Sequence, residues 1–458
     1  MRKKYNSLLS LLSLLFFVLL ILTISVITIY CFAEPSFALT RLKKHDRSID
    51  ININYSKIRK SLKILSLGRL IKSSLKNYNI MRLKLGAEAL KENIEISKSL
   101  PDPRIAFGYN DSDGFNNFAV GNNEYPGSKF RYTFTQYIPF PTKLFLKSKI
   151  AKYSFNYADE TTKSAVYSTA ANVKNYYYRL ALFERDITII KSDYSLLKLL
   201  EKNTTERYTF GKAKETDVIR IDLRMVALKN KLIRLKKDRL KTLYKLSRIT
   251  QIKLTGLKGS ALFPKKVKLD IKNFKKTIAE VYKDNPAIKA VNFLYDKSKF
   301  QKKLADQSLY PDIIFHVKYG YRYGIQPALG GSIGFVVPLY FNSRQIPEMK
   351  KAKKNMISSL FGRVWAYDGA DKIVRTLLLN IKKYYKLYMV EKKVYIPESS
   401  LLFKLYVNRY IFGKVSAFEL LNAFKKKVKA ELLSYDYEFN LLKNEDDLSL
   451  VLGKIHNI

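Results

Sequence analysis

The sequence predicts a mainly α-helical chain with a transmembrane β part, built as an internal duplication of long helical hairpins and carrying four β-strands. Three observations predict it. Short motifs recur in the same order roughly two hundred residues apart. They are Leu100-Pro101-Asp102 with Tyr310-Pro311-Asp312, Ile138-Pro139-Phe140 with Val337-Pro338-Leu339, and Arg207-Tyr208-Thr209-Phe210-Gly211-Lys212 with Arg409-Tyr410-Ile411-Phe412-Gly413-Lys414. Between them run long stretches of helical spacing, and four shorter stretches alternate with strand period.

Arg2, Lys3 and Lys4 precede an apolar run from Leu8 to about Ile29, and Cys31-Phe32-Ala33 then offers a cleavage site before Glu34. Residues 1–33 therefore read as a signal peptide. An uncleaved anchor is the alternative, since the run is long enough to span a bilayer. A lipidated Cys31 is a second, opposed by the bulk of Tyr30 in front of it. Cys31 is the only cysteine, which excludes an intramolecular disulfide and a cysteine metal cluster. After Ala33 no second apolar run reaches spanning length, so membrane entry beyond it must use β-structure. Residues 34–66 form a basic, poorly periodic N-terminal segment.

The first repeat, 67–252, opens on a helix and then alternates. Ile105, Phe107 and Tyr109 alternate with Ala106, Gly108 and Asn110, and Phe130, Tyr132 and Phe134 with Arg131, Thr133 and Thr135. In the second repeat, 276–453, Ile313, Phe315, Val317, Tyr319 and Tyr321 alternate with Ile314, His316, Lys318, Gly320 and Arg322. Ile333, Phe335, Val337 and Leu339 do so with Ser332 and Gly334 between them. Each segment thus has an aromatic-rich face and a small or polar face. A soluble sheet packed on helices would alternate in the same way. Near-membrane-spanning length and lipid-type aromatic faces favour a barrel instead. The Gly/Asn/Asp-rich connections Asn110 to Ser128 and Tyr323 to Gly330 suit polar turns. Four strands cannot close a barrel in lipid, so several protomers must share one.

From about Thr142 to Asn203 neither Pro nor Gly interrupts the helical period, which predicts a rod of about 90 Å. After the Gly211 turn, Val218, Ile221, Met225, Leu228, Leu232 and Leu235 continue an apolar seam. The second repeat matches it from about Ser343 to Arg409, with a bend expected at Pro397, and then from Leu421 to Leu442. Gly211 and Gly413 end helices in a left-handed conformation, so each marks a hairpin tip. Tyr208, Phe210, Gly211, Lys212, Tyr410, Phe412, Gly413 and Lys414 are expected to form an exposed docking surface there. A rival reading packs Phe210 and Phe412 under the turn. Residues 253–275 connect the repeats, and 454–458 form a short tail.

Lys and Arg number 84 against 39 Asp and Glu, a net charge of +45. The lysines spread along every helix rather than gathering in one patch, which argues for a solvated basic surface and against nucleic acid. His45, His316 and His456 are the only histidines, each without a neighbouring ligand or nucleophile, and no phosphate loop or zinc spacing occurs. No enzyme, cofactor or metal site is expected.

With its signal peptide, two homologous halves, Pro-Asp before each first strand, a Pro-containing end to each second strand and Tyr-x-x-Gly turns, the chain resembles the TolC family of outer-membrane efflux proteins. The likeness covers about Leu67 to Gly453. It implies a homotrimer whose twelve strands form one outer-membrane barrel above a periplasmic helical tunnel. The implied function is passive: the exit duct of a tripartite efflux pump or type I secretion system. The implied partners are a periplasmic adaptor of the membrane-fusion type, an inner-membrane transporter of RND or ABC type, and outer-membrane lipid. Arg131, Thr133, His316, Lys318 and Arg322 would then face the barrel lumen, and the tips would meet the adaptor. Glu419 stands where family members place a carboxylate gate, with raised pKa values expected for a ring of three. Neutral Asn422 departs from members with two acidic rings. Asp217, the counterpart of Glu419, is open to a second reading as a charge stabilised by the helix dipole. An inner-membrane-anchored helical adaptor is the alternative function, although it would show one hairpin flanked by β-rich domains.

Overall fold

The computed structural model describes residues 66–110, 129–254, 263, 273–322 and 325–454. The signal peptide, Cys31, His45, His456, the connection 111–128 and most of 34–66 and 253–275 lie outside the described residues. Among those described, one order of elements occurs twice. The first set is α1 (Leu67–Ser74), α2 (Tyr78–Ile96), β1 (Arg104–Asn110), β2 (Lys129–Ile138), α3 (Pro141–Thr209) and α4 (Glu215–Thr250). The second is α5 (Phe274–Asp284), α6 (Pro286–Asp306), β3 (Asp312–Arg322), β4 (Ile325–Val336), α7 (Gln345–Val390), α8 (Ile396–Ile411) and α9 (Ala417–Val451).

Helix α3 starts on a proline at its first turn, where the missing N–H costs nothing. Its 69 residues run about 100 Å. In the second half the equivalent rod is divided into α7 and α8 by a π-helical segment, Glu391–Tyr395. Pro397 cannot donate to the carbonyl four residues back and its ring crowds it, so the preceding turn widens. The irregularity expected at Pro397 as a bend is present as this π-helical segment just before it.

Two asparagines fix the corners where each half turns from its short helix into its second. Asn77 caps α2 by accepting from Ile80 N (2.9 Å) and donates to Ile249 O at the end of α4. Asn285 caps α6 by accepting from the N–H groups of Ala287 and Ile288, and donates to Val451 O at the end of α9 (2.6 Å). Each cap thus satisfies helix-end donors and a helix-end carbonyl together.

The four strands form one antiparallel sheet in the order β1-β2-β3-β4. The central pairing, β2 with β3, joins the two halves of the chain. Strand β4 departs from expectation: it begins at Ile325, inside the segment read as a loop, and ends at Val336, before Val337-Pro338-Leu339. Pro327 explains the misplacement. A proline reads as a strand breaker, but β4 is an edge, where a missing donor is tolerated, and the register shifts between Gly320 and Arg322 beside it.

The helices line up as a wall. Near the sheet the neighbours run α2, α3, α6, α7; toward the tips they run α4, α3, α9, α8. Three buried clusters hold this wall. Leu70 and Ile71 of α1 pack with Val173 and Leu180 of α3 and Leu246 of α4. Val281 and Ile288 pack with Val374, Ile381 and Leu441. Toward the tips, Ile190, Leu197, Leu228, Phe403, Leu420 and Phe424 interlock from both halves. Phe424 is fully buried, and truncating such a ring to Ala costs about 3–5 kcal/mol.

Charges are built into the same seam. Asp193 on α3 is only 2% exposed and pairs with Lys427 on α9 (3.3 Å), which also reaches Glu431 (3.1 Å). Burial pushes the Asp193 carboxyl up, against the pull of Lys427. One turn pair away, burial raises Asp186 to about 7 while Lys231 on α4 opposes the shift.

Candidate functional site

The register sorts every strand residue onto one of two faces. Ile105, Phe107, Phe130, Tyr132, Phe134 and Tyr319 fall on one face with Phe315, Leu329, Ile333 and Phe335, continuous from edge to edge. Phe107 and Leu329 are each 72% exposed, and Phe107 meets Tyr132 edge-on with ring centroids 5.3 Å apart. A free apolar face of this extent needs a covering phase.

The opposite face is polar and small. Its rows read Gly108, Arg131, Gly320, Ala328; then Ala106, Thr133, Lys318, Gly330; then Arg104, Thr135, His316, Ser332. The register thus brings Arg131, Thr133, His316 and Lys318 together on one surface, and Thr135 Oγ1 hydrogen-bonds His316 Nδ1 across it (2.9 Å). Arg322 closes β3, with its side chain outside those described. Among the described strand residues Asp312 is the only carboxylate. It accepts from Lys143 Nζ (2.8 Å), from Phe140 N (2.8 Å) and from the Tyr137 hydroxyl. Asp312 therefore ties the start of β3 to the junction of β2 with α3. The Pro-Asp motif carried that signal, but the partners lie far away in sequence.

Below this face the wall encloses an open hollow of about 1120 Å³. Tyr137, Asp312 and Val336 of the polar face border it, with Lys143, Lys147 and Lys351 from the helices. The polar face and the hollow form one continuous surface. Among the described residues no helix is long and apolar enough to cross a membrane.

At the far end, Gly211 and Gly413 have φ of 68° and 72°. Lys212 N donates to Arg207 O (2.8 Å) and Gly211 N to Tyr208 O (2.9 Å); Lys414 N and Gly413 N repeat this with Arg409 O and Tyr410 O, both at 2.9 Å. Both tips are Schellman turns, which only glycine adopts without strain. Phe210 and Phe412 are each 77% exposed, so they project rather than pack beneath the turn. Tyr208, Lys212 and Lys414 are exposed as well.

Tyr410 corrects the expected docking set. It is 3% exposed, and its hydroxyl bonds Thr204 Oγ1 of α3 (2.9 Å). The cause is Arg207, whose guanidinium lies over the Tyr410 ring (5.1 Å to its centroid) and donates to Tyr410 O and to Ile411 O (2.9 Å). Two motifs that differ only at Thr209 and Ile411 therefore take different environments: the first tip clips the second. Sequence reading missed Arg207 because the contact crosses between halves.

Glu419 sits at the third position of α9 in a capping box. Its Oε2 accepts from Ser416 N (2.9 Å), while Glu419 N donates to Ser416 Oγ (3.3 Å). Donation from Ser416 N, and next from Ser416 Oγ (3.0 Å), holds its carboxyl below the usual range in the single protomer, opposite to the upward shift expected for a ring of three. Asp217, half-buried in the first turn of α4, occupies the dipole-stabilised position.

No known protein family and no curated protein matches this sequence. Solved structures do. The chain superposes on CusC, a protein that undergoes transmembrane channel formation, with TM-score 0.73 and 12% identity over 85% of this chain and 92% of that one. The Campylobacter jejuni outer-membrane channel CmeC gives 0.73 and 14% over 84% and 85%. The Vibrio cholerae outer-membrane protein VceC gives 0.72 and 13% over 85% and 96%. At these identities the likeness establishes a shared fold, that of outer-membrane channels.

Proposed function

We propose that this chain is the outer-membrane exit duct of a tripartite efflux pump or type I secretion system, a passive homotrimer without catalysis. The observation that carries the reading is a wall with open edges throughout. Among the described residues both sheet edges, β1 and β4, lack a partner strand, and an open edge in lipid leaves backbone groups unpaired. The helical edges match them. Helix α4 leaves Ile219, Leu223, Ile233 and Tyr244 exposed, and the opposite edge leaves Phe361, Trp365, Leu401 and Leu405 exposed. Two different apolar edges suit a heterologous contact that closes into a ring. Three copies would supply twelve strands, place the apolar belt against lipid and enclose the polar face.

In this reading the repeats 67–252 and 276–453 each build half of a protomer's wall. The tips, with Phe210 and Phe412 outermost, meet the helical hairpins of a periplasmic adaptor, which links the duct to an inner-membrane transporter of RND or ABC type. Glu419 and Asp217, in the first turns of the returning helices, stand where a ring would narrow the duct. Fractionation and planar-bilayer recording test the proposal: a heat-sensitive trimer in the outer-membrane fraction should conduct. Recovery as a soluble monomer or in the inner membrane would reject it.

A further inference from the structure

The polar face carries charge of one sign. Each of its three upper rows holds a basic side chain, Arg131, then Lys318, then Arg104 with His316, and every other position in those rows is Gly, Ala, Ser or Thr. Lys318 and Arg104 are exposed. The sole carboxylate of the described strands, Asp312, is already taken up by Lys143, Tyr137 and Phe140 N at the base of the sheet. In the hollow beneath, Lys147, Arg344 and Lys351 face one further carboxylate, Glu348. Arg131 is half-buried, with only Gly and Ala beside it in its row. No described anionic side chain in those rows offsets these cations. Asp111, Asp113 and Glu124 belong to the 111–128 connection, outside the described residues.

We infer that the duct is anion-selective, its polar face forming stacked cationic rings that favour small inorganic and organic anions as cargo. This rests on the exit-duct reading, in which that face lines the pore. A low-dielectric wall bearing one sign of charge concentrates counter-ions and excludes co-ions, and Arg/Lys rings are the form this takes in anion pores. The preference weakens as salt shortens the screening length.

Reversal potentials across a planar bilayer under a KCl gradient provide the test. The native trimer should pass chloride over potassium by about twofold or more, most strongly at low salt. Replacing Arg131→Ser and Lys318→Thr together should bring that ratio to near unity, while Arg131→Lys should keep it. Conductance with a ratio at or below unity in the native trimer would overturn the selectivity while leaving the duct intact. An unchanged ratio in the double variant would overturn its assignment to these rings. Absence of any conductance from an assembled trimer would instead defeat the exit-duct reading. Should the double variant fail to assemble, the native ratio still decides.

Discussion

Arg207 on α3 clasps Tyr410 on α8, stacking over its ring and capping the carbonyls that end the helix. The two hairpin tips are thereby one mechanical unit, although the chain reaches them separately. Arg207→Ala should remove the guanidinium's bonds to Ile411 O and to Tyr410 O, the latter keeping Gly413 N as its donor, and loosen the tip by about 1–2 kcal/mol. Hydrogen exchange should quicken across 408–414 with the upper wall unchanged. Equal protection in the variant would mean the clasp carries no load.

The corner asparagines make a graded prediction. Asn285→Ala removes two capping bonds and the 2.6 Å bond to Val451 O, and should cost about 2 kcal/mol. Asn77→Ala loses a 3.4 Å contact to Ile249 O and one cap, and should cost less. Thermal unfolding of both variants checks the order.

Gly453 and Gly211 separate conformational strain from crowding. Both have positive φ, but a Cβ at Gly211 meets nothing within 4 Å, whereas at Gly453 it would lie 2.8 Å from Asp284 O. Gly211→Ala should cost about 1–2 kcal/mol from strain alone. Gly453→Ala should cost more, because backbone must shift as well. Comparison of melting temperatures reads the difference.

Asp186 gives the wall a pH dependence. Burial raises its carboxyl from 3.8 to about 7 in the folded protein, with Asp436 adding to the shift and Lys231 opposing it. The folded state thus holds a proton that the unfolded chain releases above about pH 4. Below that pH both states are protonated and no penalty exists; stability should fall as the pH climbs from about 4 to about 7, and level off above. Asp186→Asn should flatten this slope in melting curves recorded across the window.

Glu419→Gln isolates charge from capping, because an amide oxygen can still accept from Ser416 N. Stability should fall slightly, because the helix start loses its carboxylate, while block of the conductance by multivalent cations weakens. Unchanged block would leave Glu419 as a helix cap alone.

Much of this was legible where one residue type answers to one backbone geometry. Gly211 and Gly413 announce their turns, and the alternation of Phe130, Tyr132 and Phe134 with Arg131 and Thr133 sorts the faces, because a strand has period two. What escaped depended on contacts between distant residues. Tyr208 and Tyr410 occupy the same motif position, yet only Tyr410 is buried, since only Arg207 reaches across. Pro327 hid the start of β4 because edge position is a property of the assembled sheet. The capping box at Ser416 and Glu419 was present as a spacing, but the same residues also fit a gate.

The hydrogen bond from Thr135 to His316 spans 181 residues of sequence, and it belongs to the pairing on which the whole sheet depends. A nascent chain that has produced only its first hairpin holds two strands with a greasy side and no neighbour. Non-local pairing of this kind is slow to form. The four-stranded sheet can therefore be completed only after the C-terminal half has emerged, which leaves the first hairpin's apolar side uncovered for most of synthesis.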